Sequence, residues 1–234
     1  MELKGKNVVV TGADGGMGRV LCDRLAKAGA GLVLCSIDER AVTEQGEELK
    51  KAYGVQVFTG KVDVTKEEEA EAFLEKAAGA CGPFYALVNL AGLSVPGKIE
   101  ETDVDIYDKI MDVNVKGTFL MSKHFAHHAE APAIIVNLGS TAAKAANPNA
   151  PLYCTAKAAV NMLSRGMLLQ MGAKDIRVTT INPGGTDTPF WGSRAVDKSK
   201  LMSAEDVVDI LMFALTSSPR VQIHDIYFES ANRF

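Results

Sequence analysis

The chain is short of cysteine pairs, of aromatic residues and of positive charge, and each shortage removes a class of function. Its 234 residues hold four cysteines, Cys22, Cys35, Cys81 and Cys154, with no C-x-x-C pair among them. Scattered so widely, they supply neither a metal site nor a disulfide framework, and they read as structural thiols of a reducing compartment. Acidic residues outnumber basic ones, for a net charge of −4. No basic field therefore draws the chain to nucleic acid or to anionic lipid. No apolar run reaches the roughly 18 residues of a membrane span, and the residues ahead of Val8 do not form a signal peptide. Internal repeats, low-complexity tracts and linkers are also missing. The expectation is one cytoplasmic, enzyme-sized domain, residues 1–234.

What is present is an alternation of two patterns. Short β-branched and leucine runs at 7–10, 32–35, 55–58, 85–89, 133–138, 176–181 and 224–228 read as strands. Helical patterns separate most of them. One at 65–78 takes Thr65 as N-cap with Glu68 in the capping-box position. A long one at 102–124 carries Asn114 in its middle, where an amide competes with the backbone and marks either an exposed position or a kink aimed at a site. Another at 153–172 ends on Gly172, and a last one begins after Ser203. Strands written as continuous apolar runs belong to a parallel sheet covered on both sides. The expected fold is α/β, a doubly wound parallel sheet of about seven strands with helices on both faces.

The glycines of Thr11-Gly12-Ala13-Asp14-Gly15-Gly16-Met17-Gly18 fall between the first strand and the first helix. There glycine lets helix N-terminal N–H groups approach a pyrophosphate. After the second strand, Ser36 and Asp38 occupy the region that reads an adenosine ribose, with Asp14 facing it. No Lys or Arg stands at 14, 15, 36 or 37, although Arg40 is near. Two carboxylates would repel a 2′-phosphate, so between NAD(H) and NADP(H) the residues lean to NAD(H). Tyr153 and Lys157, four apart on one helix face, form a pair in which the ammonium would pull the phenol towards working pH. Such a phenol can exchange a proton with a carbonyl or alcohol oxygen.

Taken in order, the glycine turn, Asn89-Leu90-Ala91-Gly92, Asn114, Ser140, Tyr153 with Lys157, and Pro183-Gly184 resemble the short-chain dehydrogenase/reductase family over essentially the whole chain. Ser140 lies thirteen residues ahead of Tyr153, the family's spacing. The resemblance implies a single-domain Rossmann enzyme that moves a hydride between a nicotinamide and a secondary alcohol or ketone. In it Tyr153 is the general acid/base and Lys157 tunes it and binds the nicotinamide ribose. Ser140 holds the substrate oxygen, and Asn114 orders a water that relays protons to Lys157. Cofactor contacts are implied for Gly12, Asp14, Gly15, Gly16, Met17, Gly18, Ser36 and Asp38. Others fall to Asp63, Val64, Asn89, Ala91, Gly92, Pro183, Gly184, Thr186 and Thr188, together with Tyr153 and Lys157 themselves.

Several positions depart from the family pattern. Leu90 replaces an asparagine, Gly139 stands where many relatives have a serine, and the end Glu229-Ser230-Ala231-Asn232 replaces an Asp-Gly-Gly turn. The loop 189–201 is short for a substrate lid. Leu93, Ala142, Asn147, Gly185, Phe190 and the only tryptophan, Trp191, are expected pocket walls, and the two aromatics favour an apolar or ring-bearing substrate. The partners expected are a small alcohol or ketone and further copies of the chain, as a homodimer or homotetramer, with no metal. A competing reading is a catalytically silent dinucleotide sensor or scaffold. An epimerase or dehydratase of the extended type lacks residues here for its second domain.

Overall fold

Three successive valines, Val8, Val9 and Val10, are fully buried in β1 (Asn7–Thr11). Alternate side chains of a strand point to opposite faces, so Val8 and Val10 enter one core and Val9 the other. The same alternation runs through Leu32, Val33 and Leu34 of β2 (Gly31–Ser36) and Ile134, Ile135 and Val136 of β5 (Ala129–Leu138). With β3 (Val57–Lys61), β4 (Phe84–Asn89), β6 (Ile176–Pro183) and β7 (Asp225–Phe228), they form a seven-stranded parallel sheet in the order β3-β2-β1-β4-β5-β6-β7. The computed structural model describes residues 1–233.

One core lies under α1 (Gly16–Lys27), α2 (Glu39–Tyr53) and α7 (Ala204–Thr216), through Leu21, Leu25, Val42, Val207 and Leu211. The other lies under α3 (Glu67–Cys81), α5 (Gly117–His128) and α6 (Pro151–Met171), through Phe73, Leu74, Leu120, Phe125 and Met167. The doubly wound expectation is met. Among the described residues no helix is long and apolar enough to cross a membrane.

The chain reverses its direction across the sheet between β1 and β4, so a crevice opens outside their C-terminal ends. Those ends are aligned: Thr11 pairs with Asn89, Asn89 with Asn137, and Asn137 with Thr180. Buried amides and hydroxyls hold the row. Asn89 Nδ2 donates to Ser122 Oγ at 3.2 Å and to Asn137 Oδ1 at 2.8 Å, and Asn137 Nδ2 donates to Ser164 Oγ at 2.9 Å.

Three expectations about elements change. The helix read at 102–124 is α4 (Val104–Met111), a π-turn at Asp112–Lys116 and then α5. Asn114 sits inside the π-turn, so the residue that disfavours a regular helix marks its irregular turn. α3 begins at Glu67, and Thr65 is not its cap. The Asp63 carboxylate instead accepts from Thr65 N at 3.0 Å and from Thr65 Oγ1 at 2.7 Å, closing an Asx turn ahead of the helix. α6 starts at Pro151, whose missing N–H costs nothing at a first helical position, and runs on through a 3₁₀ turn to Asp175 at φ 54°. Ser203 does cap α7, in a capping box with Asp206.

Candidate active site

Two cavities lie along the C-terminal edge of the sheet and meet at Met17, Leu90, Gly92, Thr188 and Phe190. The first encloses about 480 Å³ under the glycine turn. Gly12, Asp14, Gly15, Gly16, Met17 and Gly18 form its floor. Ser36, Asp63, Val64, Ala91 and Gly92 complete the walls. α1 starts at this floor with no side-chain cap and no acid in its first turn, so its N–H groups stay available to an anion. That donor set fits a pyrophosphate. Thr11 Oγ1, at the end of β1, accepts from Leu90 N and Ala91 N at 3.1 Å each and draws the β4 end over the turn.

Some expected contacts stand elsewhere. Leu93, read as a substrate wall, lines this first cavity. Asn89 lines neither cavity, because its amide is spent on Ser122 and Asn137 between strands. Asp38 caps α2, accepting from Ala41 N at 3.0 Å, and faces a separate shallow cavity with Ile37, Arg40 and Lys61. Lys61 was invisible as a neighbour of the ribose region, because only the β2–β3 register brings it opposite Ser36.

The second cavity, about 450 Å³, holds Ser140, Tyr153 and Lys157 with Pro183, Gly184, Thr186 and Thr188. Ala142, Asn147, Gly185, Phe190 and Trp191 line it as well. Ser140 is placed by a residue that the sequence motifs do not single out. Asn182, fully buried at the end of β6, accepts from Ser140 N at 3.1 Å. The one signal for Asn182 was its place directly before Pro183-Gly184. A Cβ on Gly139 would fall 1.9 Å from Asn182 Oδ1, which explains the glycine at the departing position. Ser140 Oγ accepts from Ala142 N at 3.1 Å and donates to Pro183 O at 3.5 Å, a length too great to hold its proton firmly.

Asn114 lines neither cavity, yet it closes the site from behind. Its Nδ2 donates to Leu93 O and Ile110 O at 2.9 Å each, while its buried Oδ1 has no partner among the described residues. A Cβ at Gly92 would lie 2.8 Å from that oxygen and 3.5 Å from Lys157 Nζ, so both polar atoms converge on one point of the wall. Ser94, Arg194, Lys200 and Glu229 also face the second cavity. Ser94 follows β4, Arg194 and Lys200 share the 189–201 loop and Glu229 follows β7, and no spacing in the chain announced them.

The expected tuning of the phenol by Lys157 is not what the geometry produces. Burial pushes the Tyr153 phenol up to about 12, with Ser140 and Arg194 pulling it down and Cys154 adding to the rise. Lys157 Nζ donates to Leu138 O at 2.7 Å and lies 5.7 Å from the Tyr153 ring centroid. Burial lowers that ammonium from 10.5 to about 8. A base whose folded pKa is depressed binds fewer protons folded than unfolded between those two values, so stability rises with pH through that window. Melting temperature is therefore expected to climb from pH 8 towards 10, before the raised Tyr153 phenol reverses the trend at higher pH. Lys157→Met should flatten the climb; a variant melting curve with the same pH slope as the parent would remove Lys157 as its cause.

Comparisons with known proteins agree with this architecture. The short chain dehydrogenase family model matches residues 6–199. The chain is 31% identical to an uncharacterized oxidoreductase of Staphylococcus saprophyticus over 97% of both chains. It is also 31% identical to the uncharacterized oxidoreductase YxbG of Bacillus subtilis, over 87% of this chain and 75% of that one. Among solved structures it is similar to an alcohol dehydrogenase from the archaeon Thermococcus sibiricus complexed with 5-hydroxy-NADP. There the TM-score is 0.89, with 26% identity and 97% of both chains covered. In fold it also matches a short chain dehydrogenase from Burkholderia cenocepacia in complex with NADP, with a TM-score of 0.91, 24% identity, and 99% and 100% of the two chains covered. With a Rossmann sheet, a glycine turn at its switch point and these relatives, the chain belongs to the short-chain dehydrogenase family of oxidoreductases.

Proposed function

We propose that the chain moves a hydride between a nicotinamide dinucleotide and a secondary alcohol or its ketone, with Tyr153 exchanging the proton. The observation that carries this reading is the meeting of Ser140, Tyr153 and Lys157 in one cavity that opens into the glycine-floored one. The dinucleotide, when bound, supplies or accepts the hydride. Gly12 to Gly18 and the start of α1 would hold its pyrophosphate, while Lys157 and Thr188 reach towards its nicotinamide end. Tyr153, buried and neutral at working pH, donates its proton to the substrate oxygen during reduction. Ser140, already fixed through Asn182 and Ala142, turns its hydroxyl proton to the same oxygen and stabilises the charge that develops there. Asn114 Oδ1, converging with Lys157 Nζ beside Gly92, would hold the water that passes a proton on from Lys157.

The ribose end carries both signs. Asp14 on the cavity floor disfavours a 2′-phosphate, and Arg40 is held by Glu44 at 2.7 Å, so NAD(H) is the preferred cofactor. Lys61 beside Ser36, and the 5-hydroxy-NADP bound by the archaeal relative, support NADP(H) as the second reading. Each dinucleotide should be added to the apo-protein in a thermal-shift titration. The larger stabilisation is expected with NAD(H), and a shift with NADP(H) alone would hand the ribose site to Lys61 and Arg40. Oxidation of the reduced cofactor by a panel of ketones should follow. A dinucleotide that stabilises the fold while no ketone is turned over would favour the silent-sensor reading. Val104, Tyr107, Phe119, Met162 and Leu169 stand exposed on α4, α5 and α6, and we read this apolar face as self-pairing; light scattering that reports monomer alone would remove that reading.

A further inference from the structure

Among the charged groups of the reaction cavity that the hydride chemistry leaves unused, one is held rigid against its aromatic wall. Arg194 lines that cavity from the loop after Trp191. Its Nε donates to Trp191 O at 2.8 Å, and its Nη2 donates to Phe190 O. The guanidinium carbon lies 5.2 Å from the Phe190 ring centroid and 5.0 Å from that of Trp191. Two carbonyls and two aromatic rings thus fix the orientation of the cation. Only part of its donor edge is spent on them, since a guanidinium carries five N–H groups.

Among the described residues no acid answers it. Arg194 enters no ion pair there, whereas Arg24, Arg40 and Arg165 sit on acids. The charged groups around the cavity are Lys157, Arg194 and Lys200 against the single carboxylate of Glu229. The remaining wall is largely apolar, with Leu138, Ala150, Leu201, Phe190 and Trp191. A planar cation held rigid at an apolar wall matches a carboxylate better than a hydroxyl or an amide, because the fork can make two parallel charge-assisted bonds. Phe190 also ties this cation to the chemistry, since its ring lies 5.7 Å from the Tyr153 ring. A substrate whose carbonyl reaches Tyr153 therefore passes Arg194 within a few bonds.

We propose that Arg194 selects the substrate by charge, so that the ketone reduced here is an oxo acid, and the alcohol a hydroxy acid, with an apolar or ring-bearing body. This rests on the hydride-transfer reading above and deepens it. The carboxylate takes no part in bond making; Arg194 positions the molecule so that its ketone oxygen meets Tyr153 and Ser140.

The test pairs 2-, 3- and 4-oxo acids bearing a phenyl or alkyl tail with their methyl esters. For the wild-type enzyme kcat/KM is expected to favour the best acid over its ester by about 10–100-fold. Arg194→Gln should raise KM for the acid by a similar factor, with a much smaller effect on the ester, and Arg194→Lys should recover part of the loss. Equal use of acid and ester by wild type would overturn the proposal. So would equal damage to both in Arg194→Gln, which is the signature of a residue that merely staples the loop.

A second measurement needs no turnover. Trp191 is the only tryptophan, so its fluorescence reads the cation beside it. It should respond to 4-phenylbutanoate at concentrations where 4-phenylbutanamide does nothing, and this response should vanish in Arg194→Gln. A response to the acid without reduction of any ketone would keep the anion site and sink the hydride reading. Ketone reduction without preference for acid in either measurement would do the reverse.

Discussion

Tyr153→Phe is expected to slow ketone reduction by about 10²–10⁴-fold, the range that one positioned acid or base contributes, while dinucleotide binding stays near wild type. The variant removes a single oxygen from a buried ring that still packs against Phe190 at 5.7 Å. Ser140 keeps its bonds to Asn182 and Ala142, so the site keeps its shape and the loss falls on proton transfer. The direction of catalysis should show in the pH profile. Because burial holds the phenol at about 12, Tyr153 would enter the proposed reaction protonated, the form that reduction needs. Alcohol oxidation needs the phenolate and should gain rate with every step of pH above neutrality, whereas reduction should be flat until Lys157 begins to lose its proton at about 8. Steady-state rates in both directions, with melting curves as a control on folding, check this. Wild-type turnover in the variant would move the proton donor to another residue, and a matching loss of thermal stability would make the oxygen structural.

How far the chain could be read ahead of its structure depended on whether a residue's role was local. β1, β2 and β5 were legible because strands buried on both faces must be apolar at every position, and the run of three valines leaves no other reading. The glycine turn and the Tyr153–Lys157 pair could be located in the sequence because each spans about one turn of backbone. Thr65 misled, since its hydroxyl and amide were both within reach of Asp63, and the competition between two local caps is settled by three-dimensional fit. The electrostatics of Tyr153 misled for a related reason. A neighbour four residues on was visible in the sequence, but the burial that outweighs it depends on Phe190 and on the whole wall of the cavity. Asn182 and Lys61 were missed because their partners lie on adjacent strands: Ser140 across β5 and β6, and Ser36 across β2 and β3. Arg194 was missed because its own partners, Phe190 and Trp191, are local, while the cavity it faces is assembled from distant segments.

Gly18→Ala should abolish dinucleotide binding and unfold the protein several degrees earlier. A Cβ at Gly18 would stand 2.3 Å from Gly12 O, 2.6 Å from Ala13 O and 2.8 Å from Ala13 C. All three atoms are backbone, so no side-chain rotation relieves the overlap. Either the turn opens or α1 slides outwards, and both routes cost something. The turn is closed by Gly15 N donating to Gly12 O at 3.1 Å, with Gly12 held at φ 61°. α1 is anchored by Leu21 and Leu25, both fully buried in the core shared with Val207 and Leu211. Overpacking against such surroundings costs about 1–3 kcal/mol and sometimes more, which for a chain of this size lowers the melting temperature by about 3–10 °C. The displaced N–H groups at the start of α1 no longer converge on one point, so the dinucleotide's pyrophosphate loses its cradle. Gly79→Ala is the internal control. Gly79 lies in α3, where an added methyl would meet nothing within 4 Å, and alanine there should stabilise the helix by up to about 1 kcal/mol. Paired thermal-shift titrations of the two variants should move in opposite directions, with dinucleotide stabilisation retained only in Gly79→Ala. A Gly18→Ala protein that still gains stability from the dinucleotide would show that the pyrophosphate is bound somewhere other than this turn.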